Sequence, residues 1–278
     1  MVGGWAVAGR AYAEGGGAIG SESPLDGYSW EELSSIADQI AAAASDEEGL
    51  EIAKEHRLCL EDGTLDGTQL KSFELADGTE AQAQVIGFRH DARADGSGKA
   101  GITFITKDCV AERPMNEADD NSGGWEASQM RSWMSSDLLG ELPDGLRAAI
   151  VPVSMLTYIA GKTTSASSVT STVDSLWLPS YVELVGAEQA ADGWSNDAYG
   201  TVYSAEGSQY KLFSDQGVRD GEPNGGRVKR LDGEAALWWG RAPYPYDSDY
   251  FHVVYSDGYP YYGNGASDSG GVTPCFCL

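Results

Sequence analysis

No apolar period in this chain lasts long, and that limits what it can fold into. Strand-like runs at residues 72–75, 83–88 and 101–107 are each only a few residues long. Turn signals such as Asp77-Gly78 and Asp95-Gly96 separate them. One helical pattern is clear: Leu33, Ile36, Ala37, Ile40 and Ala44 recur at helical spacing. It follows Ser29-Trp30-Glu31-Glu32, in which Ser29 caps the helix and Glu32 reaches back to it. The spacing of Trp125, Met130, Trp133 and Leu138 predicts a second helix, and Pro143 opens a shorter one carrying Leu146 and Ile150. Residues 151–157 read as another strand and 165–172 as a Ser/Thr-rich loop. Trp177, with its neighbours Leu176 and Leu178, and residues 181–185 read as buried. Residues 186–202 and 215–232 read as polar loops. The expected class is therefore α+β, with few helices, short antiparallel strands and long irregular loops. Loops of that length inside a compact domain are usually functional.

The 278 residues suffice for one large domain, and a 41% hydrophobic content with eight Trp suffices for its core. Residues 1–27, rich in Gly, Ala and Ser, read as a tail, linker or docking arm to a larger assembly, and 28–278 as one domain. There are 43 acidic and 18 basic residues, for a net charge of −25. That balance argues against nucleic acid and against an anionic membrane surface, since neither would find a basic footprint. No apolar run reaches the length of a spanning helix, and no signal peptide is evident at the start.

Few residues offer chemistry. His56, His90 and His252 are far apart and in no metal-ligand pattern. His90-Asp91 reads as a satisfied structural pair, with an acid–base pair as the alternative. Cys59, Cys109, Cys275 and Cys277 fit no zinc spacing. They read as buried free thiols, a disulfide or a reactive thiol remaining open. No nucleophile elbow, P-loop or dinucleotide glycine motif occurs, so the sequence makes no case for an enzyme, a metal or a cofactor. Glu222-Pro223-Asn224 matches the calcium-binding triplet of sugar-binding C-type lectins. The companion Trp-Asn-Asp is absent, and the nearest segment, Trp194-Ser195-Asn196-Asp197, is broken.

The unusual stretch is YPYDSDYFHVVYSDGYPYYGNGASDSGG, residues 244–271, which holds seven of the 14 tyrosines. Disordered tails avoid aromatics and core strands prefer aliphatics, so neither explains it. Trp238-Trp239 and then Arg241-Ala242-Pro243 stand just before it as an anchor. From there, WWGRAP…YFHVVYSDG…GGVTPCFCL resembles a bacterial family ending in W-W-L-R-S-P, F-x-x-V-x-x-x-G and G-V-x-P-x-F. Upstream GITFITK, MN, SGGW, SQMRSWM, LP, DSLWLPSYVEL and EGSQYKLF follow in the same order, so the resemblance covers roughly 28–278. Gly240 and Ala242 depart from it, standing where the family has Leu and Ser.

The resemblance implies a C-type-lectin-like fold related to formylglycine-generating enzyme. It also implies kinship with the variable proteins of diversity-generating retroelements, found in phages and gut bacteria. There an error-prone copy of a template RNA, mutated at adenines, replaces the 3′ end of the target gene, usually at AAY codons. Changing the first two bases of AAY never yields Lys, Glu, Gln, Met or Trp, and none of the five occurs in residues 241–278. Yet EASQMRSW alone, upstream, contains four of those types. On this basis the variable positions are Tyr244, Tyr246, Asp247, Asp249, Tyr250, His252, Tyr255, Asp257, Tyr259, Tyr261, Tyr262 and Asp268, with Asn264 an unchanged template residue. The scaffold positions are Trp238, Trp239, Arg241, Phe251 and Phe276, with Val253, Gly258, Ala266, Val272 and Pro274.

Tyrosine gives wide amphipathic contact at low entropic cost, and Ser, Gly and Asn give adaptable hydrogen bonds, the mixture antibody paratopes use. The expected role is a non-catalytic receptor-like binder of a protein or glycan on a cell surface, an adhesion function on a phage particle or bacterial surface. Its Asp residues favour a basic or hydroxyl-rich ligand patch. Two alternatives remain: an enzyme using Cys275 and Cys277 as a copper-holding or redox pair, and a calcium-dependent lectin through Glu222 and Asn224.

Overall fold

The computed structural model describes residues 24–159, 166–186, 202–219, 221–245 and 247–278. Most of the 1–27 arm, the 187–201 stretch with its Trp194–Asp197 segment, and Tyr246 lie outside the described residues. So do the side chains of Tyr261 and Tyr262.

Helix α1 (Trp30–Ala42) starts where its cap demands: the Ser29 hydroxyl accepts from the Glu32 amide and the Glu32 carboxylate accepts from the Ser29 amide. It buries Leu33, Ile36, Ala37 and Ile40. After a short break α2 (Asp46–Glu55) packs against it. The helix expected around Trp125–Leu138 is broken into α3 (Gly124–Ala127) and α4 (Gln129–Trp133), followed by a π-turn (Met134–Leu138) and α5 (Leu139–Glu141). The break falls at Ser128, which takes an extended conformation so that its hydroxyl can cap α4 at the Arg131 amide. Pro143 caps α6 (Asp144–Ala149), and short helices α7 (Tyr181–Val185) and α8 (Lys211–Asp215) follow later.

Thirteen short strands form among the described residues. The first four are β1 (Leu70–Glu74), β2 (Glu80–Phe88), β3 (Ile102–Thr106) and β4 (Ala111–Arg113). Next come β5 (Val153–Tyr158), β6 (Val169–Asp174), β7 (Lys229–Leu231) and β8 (Glu234–Ala236). The rest are β9 (Trp238–Pro243), β10 (Tyr250–Val254), β11 (Pro260–Gly265), β12 (Gly270–Val272) and β13 (Cys275–Cys277). The molecule is thus α+β, with few helices and short strands that pair antiparallel except for one bridge, Gly271 to Trp238. Where residues 165–172 were expected to loop, Thr170–Thr172 pair in register with β5, because β-branched residues suit a half-buried ribbon. Another unexpected hairpin joins β7 and β8 through Asp232 (φ 51°) and Gly233 (φ 85°), a left-handed two-residue turn.

The strands form a four-stranded sheet, β1-β2-β3-β13, and a five-stranded sheet, β11-β10-β9-β12-β4. The last residues of the chain therefore bridge both sheets: β12 lies between β9 and β4 in one and, after Thr273-Pro274, β13 edges the other. At the core Trp30 meets Phe73, Phe104 and Phe276 edge-on, and Phe104 stacks on Phe276 at 5.2 Å between centroids. The folded body also begins earlier than residue 28. Leu25 is buried with its amide donating to Leu70 O, and the Asp26 carboxylate accepts from Ser72. No helix among the described residues is long and apolar enough to cross a membrane.

Candidate ligand-binding site

The anchors sit where a scaffold requires. Trp238, Trp239, Phe251 and Phe276 are buried. Trp238 Nε1 donates to Arg227 O (2.9 Å) and Trp239 Nε1 to Arg113 O (2.8 Å), so neither indole buries an unmet N–H. Gly270 lets Trp239 lie flat, since a Cβ there would come within 2.5 Å of its Nε1. Arg241 is fully buried and grips Glu183 with two nitrogens, at 2.5 and 2.7 Å. It also donates to Thr157 Oγ1 and to the carbonyls of Leu178 and Leu156. The guanidinium thereby ties β9 to β5 and α7, and its pairing with Glu183 holds its own pKa above the usual arginine range. Glu206 lies beside this pair; burial pushes its carboxyl up to about 8, and one oxygen accepts from the Tyr158 amide.

Strands β10 and β11 form the hairpin that carries the tyrosine-rich segment, with a bulge between Phe251 and Val253. Phe251, Val253 and Val254 fill the core. The expected variable residues are thereby split between the two ends of the hairpin, roughly 16 Å apart for a five-residue strand. At one end lie Tyr244, Asp247, Asp249, Tyr250 and Asp268; at the other, the turn with Tyr255, Asp257 and Tyr259. Half-buried Asn264 stands in β11 opposite Phe251.

The first end is the richer. Tyr250 is exposed and its ring lies 6.4 Å from that of Tyr244. The Asp249 carboxyl sits above the usual carboxylate range, because it shares a hydrogen bond with Asp247 and faces like charge there and at Asp119. Residues 117–121, which the sequence pattern did not single out, complete this end. The Asp119 carboxylate accepts from the Ser267 amide (3.0 Å) and hydroxyl (2.7 Å), fixing the turn that carries Asp268. Buried Asn121 sends its side-chain Nδ2 to the main-chain carbonyls of Asp247 (2.8 Å), Tyr250 (2.8 Å) and Tyr244 (3.4 Å). Its own amide donates to Ser248 O. A shallow depression of about 310 Å³, lined by Asn116, Glu117, Ala118, Asp120, Ser122, Ala127 and Gln129, adjoins this end. A larger groove of about 610 Å³ lies elsewhere, between β1, β2 and residues 107–110.

At the other end the turn is fixed by Gly258 (φ +81°), whose Cβ would meet Asn224 O at 2.1 Å. The Asx turn of Asp257, accepting from the Tyr259 amide, completes it. Glu222-Pro223-Asn224 thus abuts the turn. Asn224 Oδ1 accepts from the Gly226 amide, Nδ2 donates toward Gln216 O, and the main-chain carbonyl of Glu222 accepts from Arg227. The Asn224 amide is in this way engaged within the fold, as a cap.

His252 does not belong to the exposed set. It is 2% exposed, its Nε2 lies 2.9 Å from the Tyr203 hydroxyl, and its ring stacks on Tyr181 at 4.6 Å. The bulge at this point in β10 turns it inward, away from the variable set in which the sequence reading placed it. Asp91 is a buried acceptor for Thr103 Oγ1 (2.6 Å), the Tyr210 hydroxyl (3.0 Å) and Cys277 Sγ (3.4 Å), while His90 packs against the Tyr210 ring. All four cysteines are free; Cys275 and Cys277 are fully buried and burial drives both thiols well above their usual pKa. The half-buried Cys109 is held up to about 11 by the same cause.

Among known proteins, the model of a family described as a domain of unknown function (DUF6273) matches residues 100–278, a span that includes both the hairpin and the 117–121 segment. No curated protein matches the chain. No solved structure matches it.

Proposed function

Starting from the fact that the chain belongs to the DUF6273 family, we propose that it is a non-catalytic ligand-binding protein whose C-terminal hairpin displays a recognition surface. The observation that carries this is the arrangement at one end of that hairpin. Tyr250, Asp247, Asp249 and Asp268 lie on segments whose main chain is tied down by residues from elsewhere in the fold, Asn121 and Asp119. A surface of that kind accepts different side chains without losing its shape.

The amino-acid set of residues 241–278, free of Lys, Glu, Gln, Met and Trp, supports diversification by a retroelement acting on AAY codons. The family resemblance supports a C-type-lectin-like scaffold and display on a phage particle or bacterial surface, against proteins or glycans of another cell. The carboxylate pair Asp247–Asp249, flanked by Tyr244 and Tyr250, favours a ligand bearing an ammonium or guanidinium group, whose positive charge offsets the like charge the two carboxyls bring together. The deep burial and raised pKa of Cys275 and Cys277 count against their serving as a thiolate pair, and the cap role of Asn224 counts against the calcium alternative.

The test is made on the gene's surroundings. A near-copy of the segment encoding residues 241–278, close to a reverse-transcriptase gene and differing only where the copy has adenines, is the expected finding. No copy, or mismatches spread over all four bases, would sink the diversification.

A further inference from the structure

We propose that Asn121 is the positioning residue of the recognition surface, setting the path of residues 244–245 and 247–250 through main-chain atoms so that the side chains displayed there are interchangeable. The proposal rests on the binding role given above and deepens it, by separating what shapes the surface from what reads the ligand.

Asn121 lies outside the tyrosine-rich segment and is 1% exposed. Its three side-chain partners, at the start, middle and end of the loop, are all carbonyl oxygens: Tyr244 O, Asp247 O and Tyr250 O. Only a donor fits among three acceptors, so the amide nitrogen is chemically required there. A carboxylate of the same shape would face three carbonyls with lone pairs. The Asn121 amide adds a fourth tie, to Ser248 O, and the Asn121 carbonyl is itself fixed by the Gly124 amide. The loop is closed at its base by the Tyr244 amide donating to Tyr250 O, and joined to the next turn by the Ala266 amide donating to Asp249 O. Carbonyls are identical whatever the side chain, so exchange at positions 247–250 leaves these ties in place. Residues 121 and 247–250 therefore divide the labour, one fixing geometry and the others chemistry.

Hydrogen exchange in the full-length protein tests this without any ligand, so its outcome is independent of whether the binding role holds. The variants Asn121→Ala and Asn121→Asp are both expected to speed exchange of the Tyr244 and Ala266 amides at least tenfold. The Tyr255 and Gly258 amides at the opposite turn, and the Thr106 amide in the core, should stay within threefold. Retained protection in Asn121→Asp would mean that the side chain merely fills space; faster exchange throughout the molecule would mean a general core role. Either result overturns the proposal. A second variant in wild-type background, Asp247→Ala with Tyr250→Ser, is expected to leave the Tyr244 amide within threefold, and a tenfold rise there overturns the proposal even if neither Asn121 variant folds.

Discussion

Arg241 shows how a single side chain can organise the region behind the proposed binding surface. Burying a guanidinium is costly, and the cost is offset by Glu183, by Thr157 Oγ1 and by the carbonyls of Leu156 and Leu178. Replacing it by Met leaves the Glu183 carboxylate buried without its cation. Arg241→Met is therefore expected to lower unfolding stability by about 3–5 kcal/mol in a urea titration. Glu206 gives a pH prediction. Its carboxyl is raised to about 8 from the ordinary glutamate value of 4.5, so the folded state holds a proton that the unfolded state has released between those values. Its stabilising contribution is complete below pH 4.5 and is lost as pH rises through about 8. Relative to Glu206→Gln, the wild-type midpoint is expected to fall between pH 5 and pH 8.5; parallel curves for the two proteins would rule this out. The sequence allowed Arg241 an acidic partner without saying which one, and showed Glu206 as one carboxylate among 43 acidic residues. Partner and burial belong to residues 58 positions apart in one case and 48 in the other.

Elements whose signals are local came out as the sequence pattern required. The capping box of α1 needs only Ser29 and Glu32, three residues apart, and the helix begins there. Ser29→Ala is expected to cost about 1 kcal/mol, read as a lower thermal midpoint. Asp77-Gly78 and Asp95-Gly96 turn with Gly78 and Gly96 in the left-handed region, as such pairs do. The hairpin at Asp232-Gly233 carries the same signal and went unread because its strands are only three residues long. The Trp125–Leu138 stretch failed for the opposite reason. Its apolar spacing is helical, but Ser128 prefers to cap, and Gly124 is pressed against Tyr158 O, where a Cβ would come within 2.5 Å. At the far turn of the display hairpin, Gly258→Ala is expected to push the 255–259 turn off Asn224 and cost on the order of 1–3 kcal/mol, with faster proteolysis confined to that turn. Unchanged cleavage would mean that Asn224 yields instead.

At the scale of the molecule, the C-terminal residues hold two sheets together, since β12 and β13 belong to different ones. Removing residues 275–278 deletes an edge strand, the Phe276 stack on Phe104 and the buried terminus, and is expected to abolish cooperative unfolding by circular dichroism. The same burial predicts thiol reactivity. An aromatic disulfide reagent at neutral pH should label Cys109 slowly in the native protein and reach Cys275 and Cys277 only after denaturant is added. Rapid native labelling of Cys277 would contradict the packing. On the function proposed above, side chains could be exchanged here with the fold intact: the apolar residues of the segment point into the core, and its exposed ones lie on loops that other parts of the chain hold.

By itself the sequence determined the class of the fold, the helix starts and turns set by neighbours a few residues apart, the apolar scaffold of the hairpin, and the amino-acid set of the displayed segment. Each depends on local sterics, capping or composition, which neighbouring residues specify without reference to the rest of the chain. Only the tertiary structure decided that the displayed residues divide between two ends of one hairpin, that His252 turns inward at a bulge, and that Asn121 and Asp119, more than a hundred residues upstream, shape the richer end. Those outcomes follow from strand register and from hydrogen bonds closed across long separations, and no short-range pattern encodes where such a partner will land.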